Sequence, residues 1–123
     1  RMKKLGLSDT NVQGDIAALG NCTNLAHVNF SECRKITGDI GVFGKCTNLK
    51  DVGFLMCFRV TGDITALGNC THLVNADFFN CTQITGDIAA LGSCTKLVNA
   101  NFYWCKNITG DIAALENCTN LEK

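Results

Sequence analysis

The sequence predicts a single solenoid domain, in which stacked units form a parallel β-sheet along one face. Three observations lead to this prediction. Five cysteines recur every 24 residues, four more recur at the same interval, and a Gly-Asp-Ile triplet recurs five times with that period. No unit of this length can bury its own apolar residues, so each must stack on its neighbours. The two cysteine columns are Cys22, Cys46, Cys70, Cys94, Cys118 and Cys33, Cys57, Cys81, Cys105.

Composition excludes several classes of protein. The chain has 123 residues, 46% of them hydrophobic, with 11 basic and 11 acidic side chains. Zero net charge and the absence of a dense basic run argue against nucleic acid as a partner. Gly, Asn, Asp or Thr interrupts every apolar stretch, so no membrane insertion is expected. The length and the apolar content suit one domain with a continuous core, so residues 1–123 are expected to form one array.

The first element of each unit is a short strand. In the unit that starts at Leu25, Val28 and Phe30 alternate with polar residues, and this alternation predicts a half-buried strand. Outward residues of successive strands should line one face of the sheet. In chain order they are His27, Asn29 and Ser31, then Asp51, Gly53 and Leu55, then Asn75, Asp77 and Phe79, then Asn99, Asn101 and Tyr103.

A turn and a second segment complete the unit. The motif Leu-x-x-Val-x-Phe-x-x-Cys-x-x-Ile, from Leu25 to Ile36, resembles the signature of leucine-rich repeats. The Ile-Thr-Gly-Asp-Ile and Leu-Gly-Asn-Cys-Thr-Asn-Leu stretches look like the plant-type variant, with Ala, Gly or Thr where that variant usually has proline. The Cys-x-x-Ile spacing resembles the cysteine-containing variant. The resemblance, from Met2 to Leu121, implies an α/β-type leucine-rich-repeat solenoid. Its concave face would carry a parallel β-sheet, and its convex face turns and short helical or 3-10 segments.

The two ends of the array depart from the regular unit. The first unit is one residue shorter, with only Asn11 where later units have two residues, and the last unit is cut off after Leu121. Arrays usually end in repeats with a polar outer face, which neither Arg1–Lys4 nor Leu121–Lys123 supplies. We therefore expect a longer array, or a partner that makes end-to-end or flanking contacts at the uncapped ends.

The nine cysteines are expected to be free structural thiols. The resemblance implies that the column that contains Cys22 occupies a position where the family has leucine and is therefore inward. It also implies that the column that contains Cys33 stands at the turn position usually held by asparagine, where a thiol can bond turn carbonyls or amides. The absence of a Cys-x-x-Cys pair argues against zinc. Free thiols favour a reducing intracellular compartment, with secretion as the alternative.

A column of aspartates follows a column of glycines. Stacked carboxylates repel one another, so something must offset the repulsion. The preferred explanation is that each carboxylate accepts bonds from backbone N–H groups of its own turn, aided by the preceding glycine and threonine. A row of bound cations such as Ca²⁺ is the alternative. The glycines themselves are predicted to form tight turns. The aspartates are Asp15, Asp39, Asp63, Asp87 and Asp111.

The concave face is the candidate partner-binding surface. One outward column changes from Ser31 through Leu55 and Phe79 to Tyr103, and Phe58 lies nearby in sequence. Grouped exposed aromatics with a polar rim are typical of an interaction patch. The alternative is that these side chains only cover the turns. The predicted partner-binding residues are Leu55, Met56, Phe79, Tyr103, Trp104, His27, Asn29, Asp51, Asn75, Asp77, Asn99 and Asn101.

No pattern in the sequence indicates catalysis. His27 and His72 lie in different columns, and each is interpreted as a surface residue with no recognisable nucleophile motif beside it. We therefore expect neither catalytic residues nor a cofactor. The leading hypothesis is a non-catalytic module for protein–protein recognition or scaffolding. The alternatives are a structural subunit buried in a larger assembly and a cation-binding array built on the aspartates.

Overall fold

The computed structural model describes residues 2–122, so Arg1 and Lys123, counted above among the end residues, lie outside the described residues. The chain alternates short strands with short 3-10 helices. The elements are β1 (Lys4–Gly6), β2 (Gly14–Asp15), η1 (Ile16–Leu19), β3 (His27–Asn29), β4 (Ile36–Asp39), η2 (Ile40–Lys45), β5 (Asp51–Gly53), β6 (Val60–Asp63), η3 (Ile64–Asn69), β7 (Asn75–Asp77), β8 (Ile84–Asp87), η4 (Ile88–Leu91), β9 (Asn99–Asn101), β10 (Asn107–Thr109) and η5 (Ile112–Leu115).

The predicted sheet is present and entirely parallel. Its strand order is β1-β3-β5-β7-β9, and His27 pairs with Asp51, one 24-residue period later. Lys4 pairs with His27, 23 residues later, because the first unit is one residue shorter. Outward-facing side chains of this sheet form the concave face.

A second parallel sheet, which the sequence analysis did not predict, runs beside the first. Its order is β10-β8-β6-β4-β2, and it is built from the Ile-Thr-Gly-Asp segments. Stacking of the units brings these extended segments side by side, with partners 22 residues apart, such as Gly62 and Ile84, so their backbone groups pair along the array. Only turns and short helical segments were expected in this part of the unit.

The convex segments are short 3-10 helices, as predicted. Each begins directly after the aspartate of the Gly-Asp-Ile triplet, which serves as the N-cap residue. A carboxylate at this position satisfies a backbone N–H that has no partner inside the helix. Across residues 2–122, no helix combines the length and the apolar character needed to cross a membrane.

The core lies between the two sheets and the helices and is built from repeated columns. Phe30, Phe54, Phe78 and Phe102 form one stack, with ring centroids 5.5–5.7 Å apart along the array. Phe43 adds a tilted contact to Phe54 from the convex side, at 5.8 Å. Equivalent residues therefore contact one another from unit to unit, and this contact stabilises the stack.

Candidate functional site

A chain of side-chain hydrogen bonds crosses four strands of the concave face. His27 Nδ1 bonds Asp51 Oδ2, and the other Asp51 oxygen accepts from Asn75 Nδ2 at 2.6 Å. Asn75 Oδ1 in turn accepts from Asn99 Nδ2 at 2.8 Å. The four residues occupy the same position in successive units, so the parallel register brings them together. His27, expected at the surface, is only half-exposed because Asp51 holds it in this chain.

A second row of polar side chains closes the ends of the same strands. Asn29 Oδ1 accepts from the N–H of Ser31 at 2.9 Å, and Asp77 and Asn101 make the equivalent bond two residues ahead. These bonds form Asx turns, which end each strand locally. Gly6 in the first unit and Gly53 in the third occupy this position and have no side chain to offer. A groove of about 530 Å³ opens on the concave face at this gap.

The aromatic residues of the predicted patch form an exposed cluster beside these turns. Phe79 and Tyr103 stack in parallel with centroids 5.7 Å apart, and the ring of Trp104 meets Tyr103 edge-on at 5.4 Å. Tyr103 is 63% exposed and Trp104 is 55% exposed. We call these three residues the aromatic cluster. Leu55, one unit earlier in the Phe79 column, is half-buried.

The column that contains Trp104 has a backbone conformation that sequence reasoning missed. Trp104 and Met56 have φ values of 69° and 62°, in the left-handed region that non-glycine residues seldom adopt. Asn80, the residue between them in the column, has a φ of 60° and is a residue type that tolerates this region. Asn80 and Asp9, the equivalent residue of the first unit with a φ of 56°, were the available signals, because Met and Trp do not suggest such a turn. Met56 is half-buried in this conformation, whereas Trp104 is exposed.

Phe58 lies apart from the aromatic cluster in its contacts. Arg34, one unit earlier, places its guanidinium 5.6 Å from the centroid of the Phe58 ring. Such a cation–π contact covers part of the ring and accounts for its intermediate exposure. Phe58 therefore matches the alternative interpretation, a side chain that covers a turn, better than it matches a binding residue.

All nine cysteines are free. Thiols of the second column donate to carbonyls of the preceding unit, with Cys81 Sγ 2.8 Å from the oxygen of Phe54, as the turn interpretation predicted. In the column that begins at Cys22, the cysteines are buried except Cys22 itself, which is half-buried. Burial raises the pKa of Cys57 and Cys70 to about 11 and that of Cys81 to about 12. Thiols with such a raised pKa stay protonated and are poor nucleophiles at neutral pH.

The aspartate column forms the predicted bonds with its own turns. Asp39 Oδ1 accepts from the N–H of Gly41 at 2.7 Å, and the other four aspartates make the equivalent bond at 2.8 Å. At Asp63 the Thr65 hydroxyl also donates to the carboxylate, which lowers the pKa of Asp63. Within the described part of the chain, no three His, Cys, Asp or Glu side chains are grouped closely enough to hold a metal ion.

The threonines and glycines of this region behave differently from the prediction. Thr61, expected to assist a carboxylate, donates instead to the carbonyl of Gly38 in the preceding unit at 3.3 Å, and its equivalents do the same. This bond is available because the second sheet places the two segments side by side. Gly62 does not form a tight turn either: it lies inside β6 with a φ of 116° and packs against Asp39.

Comparison with known proteins identifies the fold. No protein-family model matches the chain, and no curated protein matches its sequence. Among solved structures, a plant peptide hormone receptor, RGFR1, in complex with RGF2, is similar with a TM-score of 0.75 and 23% identity over 98% of this chain. An internalin (inlF) from Listeria monocytogenes is similar with a TM-score of 0.69 and 19% identity over 99% of this chain.

The leucine-rich-repeat ectodomain of the receptor kinase SOBIR1 from Arabidopsis thaliana is a third neighbour, with a TM-score of 0.71 and 18% identity over 89% of this chain. The chain spans 20%, 34% and 59% of the RGFR1, internalin and SOBIR1 chains, respectively. At these identities the likeness concerns the fold. The chain therefore has a leucine-rich-repeat solenoid fold, as its repeated motif predicted.

Proposed function

We propose that this chain is a non-catalytic recognition or scaffolding module that binds a protein partner through its concave face. The observation that supports this proposal best is the aromatic cluster. Tyr103 and Trp104 expose more than half of their surfaces, although their rings are ordered by mutual contact and by stacking on Phe79. Exposed, pre-ordered aromatic rings bury large apolar areas on binding at a low entropic cost.

The polar rows beside the cluster also suit a binding surface. Asn75 and Asn99 are already linked side chain to side chain, and Asn101 is held by its turn bond, so they are positioned before any partner arrives. Pre-organised polar groups lose less entropy on binding than mobile ones. The plant receptor RGFR1, whose structure is in complex with RGF2, shares this fold, which is consistent with the proposal.

The histidines support a non-catalytic role. His27 bonds Asp51, and His72 bonds Lys96 at 3.4 Å. Neither contact joins an imidazole to a hydroxyl or thiol that it could activate as a nucleophile.

We also infer that residues 1–123 form one array of hybrid units. Both sheets continue from the first unit to the last without a break in strand order, which supports a single array. The Ile-Thr-Gly-Asp strands correspond to the plant-type segment, and the buried turn thiols correspond to the cysteine-containing segment. The hybrid assignment combines these two features within each unit.

Two substitutions test the recognition role with little disturbance to the fold. Tyr103→Ser copies Ser31 of the same column, and Trp104→Asn copies Asn80, which already adopts the left-handed conformation. We expect the double variant to melt at nearly the wild-type temperature, because both side chains are largely exposed. Removing two central aromatic residues should weaken binding to a purified partner roughly 100-fold.

The partner can be found by affinity capture from source cells with the wild type and the double variant side by side, followed by Kd measurement on the purified protein. Ile112→Ser is the matched control, since Ile112 is 83% exposed but lies on the convex helix η5. Its variant should bind like the wild type. Equal binding by the double variant, or a large fall in its melting temperature, would contradict the proposal.

A further inference from the structure

Gly53 lies at the floor of the concave groove, and the two units beside it have polar side chains, Asn29 and Asp77, at the same position. A Cβ on Gly53 would lie 3.1 Å from Asn29 Oδ1 and 3.2 Å from Ser31 Oγ. The hydrogen that takes its place leaves a notch between Asn29 on one side and Asp77 on the other. Glycine inside a strand weakens the sheet and often marks a close approach by another group.

Asp77 contributes a negative charge to this notch that the fold does not use. One oxygen accepts the Asx-turn bond from the Phe79 N–H at 3.1 Å. Asn29 and Asn101 make the same bond in their own units, so an uncharged amide is sufficient for the turn. Among residues 2–122 no cationic side chain lies within salt-bridge distance of Asp77, because the one contact of that kind joins His27 to Asp51.

The other charged groups that line the groove are distributed unevenly. Asp51 lies next to the notch, but both of its oxygens are engaged, one by His27 and one by Asn75. Lys4 lies on β1, in the first unit, whereas Asp77 lies on β7. The groove therefore has a positive charge at its first-unit end and the unpaired negative charge of Asp77 at its other end, next to the aromatic cluster.

We propose that the concave groove accepts a protein segment that inserts a basic side chain into the notch above Gly53, beside Asp77, and places a neighbouring apolar side chain on Phe79 and Tyr103. This inference rests on the proposed function, and it names the chemistry of the partner. Charge complementarity supports it, because a guanidinium or ammonium group would pair with the free oxygen of Asp77. Phe79 follows Asp77 by two residues, so one short segment reaches both sites.

The test begins with selection of random heptapeptides displayed on phage against the wild-type chain. We expect the selected peptides to share an arginine or lysine close to an aromatic or aliphatic residue. One selected peptide is then synthesised with its basic residue as arginine and as citrulline, which keeps the shape of the side chain but removes its charge. Fluorescence anisotropy measures the Kd of both peptides.

Asp77→Asn is the decisive variant, because Asn29 and Asn101 show that asparagine supports this turn. It should weaken binding of the arginine peptide about tenfold or more at low ionic strength and have little effect on the citrulline peptide. Gly53→Ala should weaken binding as well, by filling the notch; because Asn29 and Ser31 must shift slightly to admit the methyl group, its melting temperature is measured alongside. Glu116→Gln removes an equal charge from the exposed residue after η5 and should leave binding unchanged.

Two outcomes would overturn the inference, and they are distinguishable. Peptides that lose affinity with the Tyr103→Ser/Trp104→Asn variant but bind equally to Asp77→Asn and Gly53→Ala would exclude the basic-residue site and leave the proposed function intact. If no peptide is enriched, or if binding of the enriched peptides depends on none of these concave residues, both the inference and the proposed function are wrong.

Discussion

The carboxylate of Asp39 occupies the space that a side chain on Gly62, one unit later, would need. A Cβ on Gly62 would lie 2.9 Å from Asp39 Cγ and the same distance from the backbone nitrogen of Ile40. Gly62 also has a φ of 116°, which residues with a Cβ avoid. The glycine column and the aspartate column are thus one structural feature, repeated at every junction of the second sheet.

Gly62→Ala should therefore be strongly destabilising. We expect a loss of about 2 to 4 kcal/mol in the free energy of unfolding, from the unfavourable φ together with the overlap at Asp39. Urea denaturation followed by circular dichroism would measure it. Gly44→Ala is the matched control, because its nearest contact would be an ordinary 3.9 Å and no unusual φ is involved. Equal effects of the two substitutions would show that the contact with Asp39 is unimportant.

Substitutions at Asp39 separate helix capping from charge. Asp39→Ala removes the bond to the Gly41 N–H and should cost about 1 kcal/mol of stability. Asp39→Asn keeps an oxygen acceptor and removes one charge from a column of like charges, so we expect stability close to that of the wild type. Thermal melting at low and high salt would compare the three proteins. A large loss for Asp39→Asn would mean that the charge itself is needed.

The buried thiols predict how stability depends on pH. Cys57, Cys70 and Cys81 have a pKa of about 11 to 12 in the folded chain, above the ordinary thiol value of 9.0 that they regain on unfolding. A raised folded-state pKa contributes stability that is complete below pH 9 and is lost as the pH rises through the folded value. The free energy of unfolding should thus fall between pH 9 and pH 12, in urea titrations under reducing conditions.

Chemical labelling gives an independent check on the same thiols. At neutral pH, the buried cysteines should react with a thiol reagent only after denaturation, when all nine should be titrated. Cys81→Ala should make the alkaline loss of stability shallower, because one raised pKa is removed. A fall in stability that is as steep in Cys81→Ala as in the wild type would assign the pH dependence to other groups.

The bond between His27 and Asp51 fixes the tautomer of the imidazole. Nδ1 must carry the proton to donate to Asp51 Oδ2, so neutral His27 should be the Nδ1–H tautomer. Asp51→Asn presents an amide that can donate to Nδ1 and should shift His27 toward the Nε2–H form. Nitrogen chemical shifts of the imidazole report the tautomer directly. His72, which lies near Lys96, serves as the internal reference. An Nε2–H tautomer in the wild-type chain would contradict this arrangement.

Periodicity made the large features of the fold predictable. Val28 and Phe30 alternate with polar residues, and the constant spacing of the cysteines aligns each strand with the next. The second sheet could not be predicted in the same way, because its segments have only two to four residues in strand conformation and no alternation of their own. Their pairing arises from stacking, a property of the array that no single unit shows.

The candidate site was predictable in composition but not in detail. The columns place His27 next to Asp51 and Phe79 next to Tyr103, so both contacts were implicit in the spacing. The left-handed backbone at Trp104 was not implicit, because tryptophan has no preference for it. That backbone is imposed by the turn, which every unit shares, and it determines how the ring is presented.

The two parallel sheets have a mechanical consequence. Their backbone hydrogen bonds link each unit to the next and run along the array, so a force that separates the two ends pulls on every junction in series. Bonds loaded in this direction open a few at a time, and the weakest junction yields first. Under a stretching force the units should unfold one after another at low force, and the chain would extend in steps of about one 24-residue unit.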